Sequence, residues 1–324
     1  MGSRIVIGFE SALSFWRSAR ATQRIIREGA APEEAGTVFG TGNKSLAERA
    51  RVTLEVCCCN EPLDVVLGKG DVRHSCSLMR DHRWVGPPVG EGLFKIDGQT
   101  YVYRMPAVLV QLASVWDEIE LAMVAMEMLG TYGLSDHLER GWDVDLAPLV
   151  TYGELERYIR AAKALGIRGA SRASSALELA VPNSNSPRET ALAVYFSLPR
   201  RRGGAELRGF AMNKPIILVG EQREIAGQDQ VKPDFLWDQE RVTVEYDSDL
   251  THLSSRQKTK DERRRSALES AGYKPLVVTN GITSDGAALN ALTSQLERRL
   301  GYRRKPLSAR QAALRSMLVR RLFG

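Results

Sequence analysis

Three acidic residues sit on what reads as a pair of short strands. Asp234 is on the first and Glu245 and Asp247 are on the second, within Val231-Lys-Pro-Asp-Phe-Leu-Trp-Asp-Gln-Glu-Arg-Val-Thr-Val-Glu-Tyr-Asp247. Val242, Val244 and Tyr246 alternate with Thr243, Glu245 and Asp247. That is the period of a strand, so one face is predicted apolar and the other polar, with Glu245 and Asp247 pointing the same way. Asp238-Gln-Glu240 suits a short hairpin loop. With the turn centred near residue 239, Asp234 falls almost opposite Glu245, and facing side chains on paired strands have Cβ atoms roughly 5 Å apart. Two carboxylates that close repel unless a proton or a cation sits between them. A hard dication such as Mg²⁺ takes oxygen ligands and keeps some waters. It polarises a phosphoryl oxygen and makes bound water a better nucleophile. The competing reading is an acidic turn and an exposed strand face, which needs no ion.

Two neighbouring stretches bear on that choice. Upstream, Ser186-Pro-Arg-Glu189 opens an apolar run, Ala191 to Leu198, that is predicted helical. Ser-x-x-Glu with Pro at the first helical position is the pattern of a capping box. Downstream, His252 follows the acidic strand, where it can act as a general acid or base, touch a phosphate, or serve only as a local turn or cap. A charged helix is predicted over Ser255 to Ala271, closed by Gly272, and Tyr273 to Thr279 reads as a buried strand. Lys258, Asp261 and Arg265 share a helix face by their spacing. That face is either solvated or a basic surface beside the acidic strand. Arg200-Arg-Arg-Gly-Gly204, after the first helix, reads as a solvated turn or as a grip on phosphate.

The segment from about Ser186 to Asp285 resembles the Vsr-like, very-short-patch-repair-related branch of the PD-(D/E)xK nuclease superfamily. The resemblance rests on an ordered set: Ser186-Pro187-Arg188-Glu189, Pro233-Asp234, Glu245-Tyr246-Asp247, His252, Lys260-Asp261-Glu262-Arg263, and Gly272-Tyr273-Lys-Pro-Leu276-Val277-Val278. It implies an α/β restriction-endonuclease-like core, a mixed central sheet flanked by helices, and a metal-dependent DNA endonuclease or nickase whose product usually carries a 5′-phosphate. On that resemblance Asp234 and Glu245 would hold Mg²⁺, for which Mn²⁺ can substitute, together with the backbone carbonyl of Tyr246. Glu189, the helical acid ahead of the sheet, and Asp247 would complete the shell or hold a second ion. His252 or a helix lysine would assist proton transfer or bind phosphate. Lys258, Lys260, Arg265, Arg200 and Arg201 would contact nucleic acid. The sequence departs from the superfamily at Asp247, where a Lys that orients the water is usual, and at Ser248 and Asp249, which replace glycines. An acidic variant, a Lys moved to the helix and a degenerate site each satisfy that departure. The last gives the alternative function, a non-catalytic, antitoxin-like DNA-binding regulator. In the first half, Ser11-Ala-Leu-Ser-Phe-Trp-Arg17 and Leu121-Ala-Met-Val-Ala-Met-Glu-Met-Leu-Gly-Thr-Tyr-Gly133 resemble AbiEi-type antitoxin-related proteins. That implies a helix-rich recognition or regulatory module, and a protein partner or homodimer formed through it.

The 324 residues and 43% apolar content suit two folded domains. The expected organisation is an α+β recognition or regulatory module over 1–150, a helical linker over 151–185, the nuclease-like core over 186–285 and basic helices over 286–324, α+β overall. Pro182-Asn-Ser-Asn-Ser-Pro187 is the clearest linker, and the domain boundary is expected in this region. Within the first module, helices are predicted over Glu10 to Arg27 and Ser45 to Val52, from Pro106, and from Asp117 to near Gly130. Strands are predicted over Thr53 to Cys58, Leu63 to Leu67 and Thr100 to Arg104. Tyr152 to Leu165 and Ser171 to Leu179 read as helices.

The net charge of +6 is concentrated at the C-terminus, where Arg298, Arg299, Arg303, Arg304, Lys305, Arg310, Arg315, Arg320 and Arg321 meet little acid beyond Glu297. DNA is the partner that asymmetry fits. Leu314, Met317, Leu318 and Leu322 recur at helical spacing and read either as a face docked on the core with a solvated arginine rim, or as part of a DNA-backbone clamp or a membrane-surface helix. Glu10, Arg17 and Arg20 break any signal-peptide core, and Gln111, Asp117, Glu118 and Glu120 break the longest apolar stretch, so a cytoplasmic protein with no membrane segment is expected. Cys57, Cys58, Cys59 and Cys76 lack the paired spacing of a zinc site and are expected to be reduced thiols. His74, His82 and His137 have no metal spacing.

Overall fold

The computed structural model describes residues 5–22, 46–56, 61–67, 73, 77–86, 92–96, 100–135, 138–247 and 255–324. The readings at the four cysteines, at His74, His137 and His252, and at the side chain of Lys258 lie outside the described residues. The chain divides into two compact units, residues 1–178 and 179–324, and both combine helices with sheet. The class is α/β with mixed parallel and antiparallel pairing. Among the described residues no helix is long and apolar enough to cross a membrane.

The first unit is built on a five-stranded sheet. Ile5–Ile7 lies at its centre, parallel to Thr100–Tyr103 and antiparallel to Leu63–Leu67, with Met79–Arg83 and Leu93–Lys95 at the edges. The helix Phe9–Thr22 follows the central strand directly. Its Trp16 ring N–H donates to the Tyr103 carbonyl at 2.8 Å, and its Arg17 pairs with Glu127 at 2.6 Å. Buried Arg20 donates to the carbonyls of Glu127, Tyr132 and Gly130, and burial lowers its pKa to about 10. These bonds close the end of the helix Glu118–Leu129. Its N-terminus carries the predicted Asp117 cap, with Glu120 returning the hydrogen bond to complete a capping box.

The strand expected over Thr53 to Cys58 is not there. Thr53–Val56 is the last turn of a helix, Leu46–Val56. Ala50, Thr53 and Leu54 are buried at helical spacing, and Thr53 donates its hydroxyl to the Arg49 carbonyl. The burial pattern of 3.6 overrides the strand preference of Val52, Thr53 and Val56. The stretch read as a linker forms the helices Tyr152–Ala164 and Ala170–Leu177. Both pack on the first unit. Gly169, at φ +94°, brings its backbone against the Val110 carbonyl where a Cβ would clash, and Arg172 donates to the Ala113 and Trp116 carbonyls.

The second unit carries a four-stranded sheet, ordered Lys274–Thr279, Val242–Asp247, Phe235–Trp237, Ala211–Met212. The first pair is parallel and the rest are antiparallel. Helices cover both faces. Phe235 and Trp237 meet Phe196 of the helix Pro187–Ser197, with ring centroids 5.2 and 5.8 Å away. Leu236, on the opposite face, packs with Ala267 and Leu268 of the helix Ser255–Ser270. Val242–Asp247 is therefore an inner strand, and the polar face expected for it is only partly solvated, at Glu245 and Asp247. Thr243 is fully buried, and its hydroxyl has no hydrogen-bond partner.

The C-terminal helix, Ala309–Phe323, docks on this unit. Leu318, Val319, Leu322 and Phe323 are buried, whereas Met317, expected on the docking face, is 61% exposed. Buried Arg315 takes part in the docking, donating to the Gly203 and Gly204 carbonyls and to Asn290. Arg304 donates to the Ala205 and Glu206 carbonyls and Arg299 to the Pro275 carbonyl. Three of the C-terminal arginines thus hold the fold, while Arg298, Arg303, Lys305, Arg310, Arg320 and Arg321 are exposed.

Asp64 is the most enclosed acid of the first unit. Its carboxylate accepts from Arg80 at 2.6 Å and meets His82 at 2.7 Å, and His82 stacks on Phe9. Burial pushes its pKa up, but the bonds from His82 and Arg80 outweigh burial and hold it below the usual value of 3.8. The unfolded chain therefore takes up this proton more readily than the folded one. The stability it confers is complete above that usual value and is lost as pH falls from there through the lower value of the folded state. Asp64→Asn should cost about 2 kcal/mol at pH 7, with the gap from wild type closing below about pH 4. Thermal melts of both proteins across pH 2.5–7 (about four steps) check this. A gap independent of pH would contradict it.

Candidate functional site

The hairpin Phe235–Trp237 to Val242–Asp247 turns through residues 238–241, with Arg241 at φ +52°. Its register pairs Phe235 with Val244, Leu236 with Thr243 and Trp237 with Val242. Continued by one step, it sets Asp234 opposite Glu245, as the sequence predicts. Cross-strand partners share a face. Asp234 and Glu245 therefore lie on the side of Leu236, toward the helix Ser255–Ser270. Asp234 Oδ2 accepts the Tyr246 N–H at 2.6 Å. Tyr246 thus enters the site through its N–H, in addition to the carbonyl expected of it.

Glu189 comes from the first turn of Pro187–Ser197. Ser186 caps that helix by accepting the Glu189 N–H at 3.1 Å. The Glu189 carboxylate does not close the box on Ser186. It accepts instead from the Asn185 N–H at 2.9 Å and from Asn213 Nδ2 at 2.8 Å. Asn213 also donates its backbone N–H to the Asp234 carbonyl at 3.2 Å, from a left-handed conformation at φ +50°. One residue thereby ties the helix acid to the strand acid.

The electrostatics follow from this crowding. Burial, then the charge of Glu189, then that of Glu245 push the Asp234 pKa well above the carboxylate range, against the Tyr246 N–H. Burial raises Glu189 against the hydrogen bonds from Asn185 and Asn213 and the smaller effect of the Ser186 side chain. Burial also raises Glu245, with Arg264 opposing and Asp261 and Asp247 adding to the rise. The charges of Glu189 and Glu245 thus make ionisation of Asp234 more costly.

Among the described residues no group of three His, Cys, Asp or Glu side chains is arranged to hold a metal ion. The donor set that does come together is the pair Asp234 and Glu245, with Glu189 close enough to act electrostatically on Asp234. Mg²⁺ is commonly carried by one or two carboxylates, the rest of its octahedron being water and substrate phosphate. The pair fits that demand.

The other residues singled out in the sequence divide. Asp247 is half-buried at the end of the acidic strand, paired in register with Thr279. Lys260 and Arg265 are exposed on the helix Ser255–Ser270, and Arg265 acts on Glu245 through its charge. Arg200 and Arg201 lie in a turn beyond the far end of Pro187–Ser197, a helix that already carries the chain roughly 12 Å along its axis from Glu189 to Ser197. Arg200 there donates to the Lys305 carbonyl at 2.8 Å.

Two residues that the sequence reading passed over are central. Arg264 meets Glu245 at 3.3 Å and Asp261 at 4.0 Å. Asn213 makes the tie described above. Arg264 had a legible signal. Ala267 and Leu268 anchor the helix on the sheet, and one turn back from them lies Arg264, not the face of Lys258 and Arg265. Asn213 sits in a connection, where no pattern marks it. Comparison with known protein families, curated proteins and solved structures gives no match.

If the acids are assembled at a cost, removing one charge should stabilise the fold. Asp234→Asn should raise the melting temperature by about 3 °C without divalent ions. Mn²⁺ at about a hundred times its Kd should stabilise wild type by about 2.7 kcal/mol and leave Asp234→Asn unmoved. Differential scanning fluorimetry measures both, and a destabilised Asp234→Asn would contradict the electrostatic account.

Proposed function

We propose that the chain is a metal-dependent endonuclease or nickase that hydrolyses phosphodiester bonds in DNA. The observation that carries this reading is the register pair Asp234 and Glu245, two acids set face to face beside Glu189 with their pKa values raised. A structural acid has no need of such neighbours, whereas a cation site is built from them. Asp234 and Glu245 would hold Mg²⁺ or Mn²⁺ with the Tyr246 carbonyl, and Glu189 and Asp247 would fix the charge around it. The bound ion would polarise the phosphoryl oxygen and make water a stronger nucleophile. Lys258, Lys260 and Arg265 belong to the helix that overlies the pair, which suits a phosphate backbone approaching there. The exposed arginines of the C-terminal segment extend the basic surface of the same unit. His252, in this reading, assists proton transfer. The resemblance of the ordered motifs to Vsr-like nucleases points the same way.

A second reading, a DNA-binding regulator with a lapsed site, is favoured by one feature. A guanidinium already neutralises Glu245, and an acid stands where the superfamily's Lys is usual.

Supercoiled plasmid incubated with the protein and Mg²⁺ should be nicked or linearised. EDTA should abolish this, and Glu245→Ala should slow it by at least about 100-fold, as befits loss of several kcal/mol of charge stabilisation. DNA binding without cleavage of plasmid or of short single- and double-stranded oligonucleotides, unchanged in Glu245→Ala, would select the regulator.

A further inference from the structure

The helix Ser255–Ser270 carries three consecutive arginines whose surroundings differ. Arg263 spends its donors on backbone, giving Nε to the Ile225 carbonyl at 2.7 Å and Nη2 to the Glu224 carbonyl at 3.2 Å. It fastens the helix to the neighbouring short helix Glu221–Ala226. Arg265 is exposed. Arg264 lies between these extremes. Its side chain is 25% exposed, and it reaches Glu245 through a single hydrogen bond of 3.3 Å. Asp261 lies at 4.0 Å, beyond hydrogen-bond range, and the buried Nε has no partner. A guanidinium has five donors in a planar fork suited to two oxygens at once. Here most of that capacity is unspent, in a place where solvent still reaches.

We propose that Arg264 is the phosphate-binding cation of this site, held on Glu245 until a metal ion takes that carboxylate, and then turned onto a phosphate oxygen of the substrate. This rests on the metal-site reading of Asp234 and Glu245. Arg264 and a divalent ion are rivals for one carboxylate, since both neutralise Glu245 from the face turned to the helix. Losing Glu245 sets the guanidinium free beside an ion that draws in the next available anion, a phosphodiester. An arginine arriving from the helix also supplies the positive charge that Asp247 does not. It stays protonated throughout, so it binds and orients phosphate and takes no proton from water.

The role predicts opposite effects on metal and on DNA, which a structural ion pair would not produce. Mn²⁺ binding is measured by calorimetry on the full-length protein. Binding of a short DNA duplex is measured by fluorescence anisotropy in Ca²⁺ at several salt concentrations. Arg264→Gln should bind Mn²⁺ roughly threefold or more tightly, because its rival is gone. It should bind the duplex about tenfold more weakly, with a log–log salt slope shallower by about 0.9. Arg264→Lys, which keeps the charge and lacks the fork, should restore the salt slope and bind Mn²⁺ as wild type does. Wild type that binds Mn²⁺, loses it in Glu245→Gln and behaves identically to Arg264→Gln in both titrations would overturn the role of Arg264 and leave the metal site standing. Wild type that binds no Mn²⁺ would overturn both.

Discussion

The second unit depends on a backbone register. Antiparallel pairing of Phe235 with Val244 and of Trp237 with Val242 decides which residue lies across from Glu245, and a shift of one would turn the acid away from its partner. That register is fixed from both faces. Phe235 and Trp237 lock into the aromatic cluster around Phe196 and Phe210, and Leu236 locks against Ala267 and Leu268. The apolar residues on either side thus determine where the carboxylates sit. Asp234 comes to rest with its oxygen on the Tyr246 N–H and its charge facing Glu189 and Glu245, an arrangement whose like charges oppose folding. Retaining it against that cost is the physical argument for a site.

Much of this geometry was legible in the sequence. The alternation from Val242 to Asp247, the short acidic turn and the buried strand after Gly272 gave the hairpin, its register and a third strand, whose parallel pairing only the structure supplies. Capping chemistry gave the helices that start at Glu118 and Pro187. Errors arose where one local signal competed with another. Thr53–Val56 has strand-forming residues inside a helix whose buried positions repeat at three and four. Thr243 follows a polar pattern but lies inside, because an alternating strand reads the same whether its polar face meets water or a helix. Arg264 was missed because the helix face was set one residue out of phase, and Asn213 because a hydrogen bond across the fold leaves no trace in spacing.

The C-terminal arginines illustrate how charge in a sequence divides once the chain is folded. Arg299, Arg304 and Arg315 give their donors to backbone carbonyls and serve as struts, while others of the same run remain at the surface. In the first unit Arg17 and Arg20 are struts as well, joining the two stretches Ser11–Arg17 and Leu121–Gly133 that stood out in the sequence. Those stretches pack in the core, with Arg17 and Glu127 at their junction.

The most direct test is anomalous diffraction from a crystal soaked in Mn²⁺. The account predicts one dominant peak, about 2.1 Å from a carboxylate oxygen of Asp234 and from one of Glu245, with the Arg264 guanidinium displaced from Glu245. An ordered crystal with no peak between these two carboxylates, and Arg264 still in place at saturating Mn²⁺, would contradict it.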